Sequence, residues 1–229
     1  MTIIVDQRFE GPPAIANGGY VCGVLAEGMP GPVEVRLHAP VPVGRLLVLG
    51  SEDHTVTLSD GASLLATGRA GWVPAAPPES VSFEEAVRAN TSQGPIEDHP
   101  FPNCFVCGPQ RAAHDGLRLI PAPVPGKSVM AAPWVPHESL IGSDDTIAER
   151  FVWAALDCPS YWPIAQTGEV ALLGTLAGHV VRSVTPGDRY VVVAWARERR
   201  GRKLLSATAV YDEGGEQVGI AEAIWIKVG

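Results

Sequence analysis

The sequence has no apolar run of about 18 residues or more, so no segment reads as a transmembrane helix. Its opening, MTIIVDQRFEG, lacks the basic and apolar blocks of a signal peptide. Basic residues are also scarce: 17 Lys and Arg stand against 25 Asp and Glu, for a formal charge of −8. That balance gives no positive field for a phosphate backbone or an anionic bilayer, so neither nucleic acid nor membrane is expected as a partner. Four cysteines in 229 residues are too few for a disulfide scaffold. They are expected to be reduced, in a soluble cytoplasmic protein.

The hydrophobic content of 46% is ample for a sizeable core. The sharpest change of composition falls between Val73 and Asn103, where Pro, Ser, Asn and acidic residues accumulate. This divides the chain into residues 1–76, a linker at 77–102, and residues 103–229. Within the linker, Ser82 and Glu85 form a capping-box pattern for a short helix over Phe83 to Ala89.

The same order of signals runs on both sides of the linker: a helical segment, a long apolar strand, a Pro-Gly corner and a closing hairpin. The corners lie at Pro40 to Gly44 and at Pro186 and Gly187. The hairpin turns lie at Asp60-Gly61 and at Asp212 to Gly215. The first helix is expected from Gly18 to Glu27, with Asn17 as N-cap and Gly28 closing it. The second is expected from Thr146 to Cys158, capped by Asp144 or Asp145 and stopped at Pro159. At 100° per residue, Ile147, Phe151, Ala154 and Cys158 fall within about 60° and define its buried stripe. Asp157 then lies about 90° from the stripe's centre, at the edge of the core, while Glu149 points to solvent. A helix leading into curled antiparallel strands, given twice, predicts an α+β fold in which each sheet wraps a central helix.

Particular segments carry a family resemblance. FPNCFVCGPQRAAHDGLRLIPAPV, FVWAALDCPSYW and LLGTLAGHVVRSVTPGDRYVVV together resemble the hot-dog thioesterases, over essentially all of residues 103–229. IANGGYVCGVLAEG and VEVRLHAPVPVGRLLVL resemble the first half of the tandem, double hot-dog acyl-CoA thioesterases. The resemblance implies one site where two modules meet. There, Asp157 would be general base or nucleophile, Asn17, Gly18 and Gly19 the helix start whose backbone N–H groups receive the thioester carbonyl, and Thr175 a holder of the water. Physically, glycines permit close approach of a carbonyl, and the positive helix end favours an oxyanion. The first helix has Ala26 where a symmetric enzyme would repeat the acid, and the second has Ala148, Glu149 and Arg150 in place of the Gly-Gly start. One asymmetric site per chain is therefore expected, with an acyl-CoA as partner and no cofactor. Two fused modules already form a pseudo-dimer, and a further homodimer is consistent with them.

Each assignment has a plainer competitor. Asp157 can be a pairing carboxylate near a helix end, and Asn17 an ordinary cap. Arg197, Arg199 and Arg200, in the run RERRGRK, are either a solvated hairpin end or a grip on coenzyme A phosphates. Cys104 and Cys107 with His99 and His114 offer four N and S ligands. Their irregular spacing reads instead as a packed turn without metal. Two other functions compete with hydrolysis. One is sequestration of acyl-CoA without turnover, motivated by the absence of a second acid and of the Thr and Gln that complete the triad in the tandem enzymes the chain resembles, where Arg197 and Trp225 or nearby residues stand. The other is a hot-dog dehydratase, which needs a His at a helix start, where none of His38, His54 or His179 falls.

Overall fold

The computed structural model describes residues 1–73, 76–166 and 168–228. Its elements are β1 (Thr2–Ile4), α1 (Gly18–Ala26), β2 (Val33–Leu37), β3 (Leu46–Glu52), β4 (Thr55–Asp60), β5 (Ser63–Ala70), α2 (Phe83–Gln93), β6 (Ala122–Pro123), β7 (Met130–Trp134), α3 (Glu149–Tyr161), β8 (Val170–Val180), β9 (Tyr190–Arg200), β10 (Lys203–Asp212) and β11 (Gln217–Val228). The strands form one sheet in the order β1-β3-β4-β5-β2-β8-β11-β10-β9-β7-β6. Every neighbouring pair is antiparallel. Read outward from its centre, the sheet repeats itself: β2-β5-β4-β3-β1 on one side mirrors β8-β11-β10-β9-β7 on the other. The seam is the pairing of β2 with β8, where Val35 stands opposite Leu176.

Alternation explains which face each strand buries. Along β10, Leu204 and Val210 join the main core beneath the helices, whereas Ala207 and Ala209 join a second cluster with Ala86 and Ala89 of α2. The 77–102 segment is thus more than a tether, because its helix covers the outer face of the second half. Ser82 and Glu85 make the expected capping box, with Glu85 N–H to Ser82 Oγ at 3.2 Å and Ser82 N–H to Glu85 Oε2 at 2.8 Å. The helix runs one turn beyond the expected Ala89.

The first central helix begins as expected, Asn17 Oδ1 accepting from Tyr20 N–H at 2.9 Å, and the turn after it places Gly28 at φ +80°. The second differs from expectation at both ends. Asp144 closes a local turn on Thr146. Ile147 donates its N–H to Val184 O, which holds it outside the helix. Ala148 is the N-cap and makes no side-chain capping bond. At the other end Pro159 lies inside α3, which continues to Tyr161. Ser160 secures this last turn: its hydroxyl donates to Asp157 O at 2.7 Å and accepts from Trp225 Nε1 at 2.9 Å.

The two central helices run antiparallel and unusually close. A Cβ on Gly19 would stand 2.3 Å from Asp157 Cβ, and one on Gly23 would stand 2.4 Å from Arg150 Cα. These two glycines, four residues apart on one helix face, let α1 lie against α3. Their spacing sets the start of α1 against Asp157 and its end against Arg150.

Candidate active site

Asp157 is 1% exposed. Its Oδ2 accepts from Gly19 N–H at 2.8 Å and from Asn17 Nδ2 at 3.0 Å. The carboxylate therefore sits on the N-terminus of α1, where backbone donors and the positive helix end favour its charge. Burial acts in the opposite sense and is stronger, raising its pKa from 3.8 to about 7. Oδ1 is buried and has no hydrogen-bond partner among the described residues. Asn17 serves both elements at once: its oxygen caps α1 and its amide holds the acid.

Asp157 and Gly18 help to line a cavity of about 590 Å³. Its walls come from both halves, with Leu37 and Val41 on one side and Phe101, Tyr161, Leu173 and Trp225 on the other. Most of this surface is apolar. His99, from the segment after α2, adds a polar element. It is 9% exposed and its Nδ1 accepts from Phe101 N–H at 3.0 Å. A neutral ring so bonded carries its proton on Nε2, which is buried without a partner among the described residues.

Asn17, Gly18, Gly19 and Asp157 are thus brought together from positions 140 residues apart. Their roles differ from expectation. Gly19 N–H is taken by the carboxylate, so it does not stand free beside Gly18 as a second donor. Gly18 is the first residue of α1, lacks an intrahelical acceptor, and faces the cavity.

Thr175 is not brought to this cluster. It pairs with Arg36 and Ile224 next to the fully buried Leu176, so alternation turns its hydroxyl to the other sheet face. An irregularity between Ile224 and Trp225 resets the parity: Leu173 faces Gly18, and Thr175 faces out. The three arginines do not form one patch either. Arg197 reaches Glu222 at 3.7 Å and Arg200 reaches Glu198 at 2.5 Å. Arg199 is bonded to Ile164 O and to both oxygens of Glu169, a residue of the cavity wall.

Two expectations about exposure need correction. Asp157 lies deep in the core, because α1 covers the face that helical periodicity leaves at the margin. Glu149 is half-buried instead of solvated, accepting from Trp153 Nε1 at 3.1 Å, and burial raises its pKa.

At the junction related to the site by the internal symmetry, the end of α1 meets the start of α3. Glu27 and Arg150 pair there at 2.7 Å. An ion pair thus stands where a second acid and a second free helix start would be needed.

The sequence reading also missed Cys158 as a partner of Cys104 and Cys107. The Cys104 and Cys158 sulfurs are 3.7 Å apart, and those of all three cysteines lie within 4.8 Å of one another. Hydrogen bonds from the Cys107 and Cys158 thiols hold Cys104 well below the ordinary thiol pKa. His114 lies elsewhere, stacked on His137 at 4.0 Å.

No protein-family model and no curated protein sequence matches the chain. Solved structures do. The TesB protein of Mycobacterium avium subspecies paratuberculosis superposes with a TM-score of 0.62 at 13% identity, covering 100% of this chain and 92% of that one. The acyl-CoA thioesterase II TesB2 of Mycobacterium marinum gives 0.59 at 12% identity, covering 99% and 92%. A hot-dog-fold protein of Alicyclobacillus acidocaldarius gives 0.54 at 11%, covering 100% and 92%. With its paired helices, mirrored strand order and full-length superposition, the chain has the double hot-dog fold found in TesB-type thioesterases.

Proposed function

We propose that the protein hydrolyses an acyl-CoA thioester where its two halves meet. The observation that carries this reading is the Asp157 carboxylate, seated on the start of α1 in the wall of a largely apolar cavity. The cavity takes the acyl chain. The thioester carbonyl lies at Gly18, whose N–H and helix end stabilise the oxyanion. Oδ2 stays fixed by Gly19 and Asn17, leaving Oδ1 to take a proton from the attacking water or to attack the carbonyl itself. Departure of a thiolate needs little acid assistance. Of the three arginines, Arg199 is the one bonded to a residue of the cavity wall, Glu169, and it would meet the phosphates of coenzyme A. The likeness to TesB-type structures supports the same reaction class.

Sequestration without turnover remains the second reading, because Asp157 itself occupies part of the helix start that an oxyanion would use. Purified protein offered acyl-CoA esters of graded chain length should release free thiol. Binding across the series with no thiol released would overturn hydrolysis in favour of sequestration.

A further inference from the structure

The cysteine cluster adjoins the acid in the cavity wall, with Cys158 Sγ 3.8 Å from Asp157 Oδ2, and its sulfurs have no part in the chemistry above. Cys104 and Cys107 belong to one tight turn, and Cys158 follows Asp157 on α3. All three are buried and unbridged. In a tetrahedral zinc site with Zn–S bonds of about 2.3 Å, adjacent sulfurs are about 3.8 Å apart. The 3.7 Å between Cys104 and Cys158 matches that spacing, and the whole triad falls within 4.8 Å.

The turn that carries Cys104 and Cys107 is tightly built, Gly108 N–H closing it on Cys104 O at 2.8 Å. A Cβ on Gly108 would come within 2.5 Å of that same oxygen, so only glycine fits. The turn is held in place by Phe105 N–H donating to Glu10 O at 2.7 Å. Asn17 Nδ2 adds a further donor, 3.4 Å from Cys158 Sγ and 4.0 Å from Cys104 Sγ. Zinc binds the thiolate form of cysteine, so the thiols give up their protons as the ion binds. Three soft sulfur ligands select zinc among the common divalent ions.

We propose that Cys104, Cys107 and Cys158 hold one zinc ion in the cavity wall, tying the 104–108 turn to α3 and leaving a fourth coordination position toward the cavity. Binding displaces the remaining thiol protons to solvent, with no change of oxidation state. The site depends on the three sulfurs and not on hydrolysis, so either proposal stands if the other fails.

Protein purified under reductant, stripped of metal and titrated with ZnCl2, should take up one equivalent per chain and gain in Tm. With CoCl2 it should develop the thiolate-to-cobalt charge-transfer absorption of a tetrahedral site. Cys104→Ala and Cys158→Ala should each weaken zinc binding by about 100-fold or more, the upper range seen for supporting residues of metal sites. Cys22→Ala, which alters a buried cysteine outside the triad, should leave it unchanged. Wild-type protein that shows no stoichiometric uptake, no Tm shift and no charge-transfer band would overturn the site, even if the variants fold poorly. So would Cys158→Ala binding zinc as tightly as wild type.

Discussion

Asn17 joins two demands that are usually met by different residues. It caps α1 and it donates to Asp157, so removing its side chain exposes a helix end and frees the acid together. Asn17→Ala is expected to lower stability by about 1 kcal/mol, as for other lost N-caps, and to reduce thiol release as well. Thermal unfolding and the release assay read the two effects separately. A variant that loses stability but keeps full turnover would reduce Asn17 to a structural cap. The sequence made Asn17 legible as a cap, and its bond to Asp157 is a tertiary contact that no local pattern contains. Cys158 was hidden for the same reason, since 51 residues of chain separate it from Cys107.

At the scale of elements, the close approach of α1 and α3 is what brings Asp157 onto the start of α1. Gly19 and Gly23 allow it, and in both cases the obstruction met by a Cβ includes backbone, which cannot rotate away. Gly23→Ala should therefore push the helices apart, costing about 1–3 kcal/mol as overpacking does. It should also lower activity, although Gly23 lies a full turn along α1 from Gly19, the residue that meets Asp157. Urea unfolding together with the release assay checks this, and unchanged values for both would show that the contact yields without consequence. Cap and stop signals located the first central helix and the capping box of α2, and placed the second central helix three residues early at each end; periodicity then ranked its faces. It misplaced Asp157 and Glu149 because periodicity describes a helix against one surface, and α3 is covered both by the sheet and by α1. Thr175 was proposed on resemblance alone, and a bulge in the pairing of β8 with β11 turns its hydroxyl to the other face of the sheet, which a sequence likeness does not contain.

Over the whole molecule, two similar halves share one sheet, yet their two helix junctions have diverged. One holds Asp157 on the start of α1, and the other is closed by Glu27 and Arg150. The repeat, the corners and the closing hairpins were visible in the chain, so the architecture could be anticipated. The short β1, β6 and β7, with the cover supplied by α2, could not, because they depend on which sheet edge or face needs protection. A charge cluster at the cavity rim joins the segment before β8 to β9 and β11. Glu169 pairs there with Arg199 at 2.8 Å and with Lys227 at 3.1 Å. These partners, Arg199 foremost, hold its pKa at about 2, below the ordinary 4.5. Because the folded value is depressed, the stabilisation is full above 4.5 and is lost as pH falls toward about 2. Glu169→Gln should accordingly show a shallower loss of Tm over that interval than wild type. Parallel curves would mean the cluster contributes nothing.

The central claim is that the carboxylate on the start of α1 performs the chemistry, and Asp157→Asn isolates it. Asparagine has nearly the same shape, and its oxygen can still accept from Gly19 and Asn17, so the fold should persist. With the best acyl-CoA substrate, kcat/KM should fall by about 100-fold or more, the contribution expected of a positioned base, while circular dichroism stays unchanged. A folded variant that releases thiol within about twofold of the wild-type rate would contradict the account, because no transition-state interaction would have been lost.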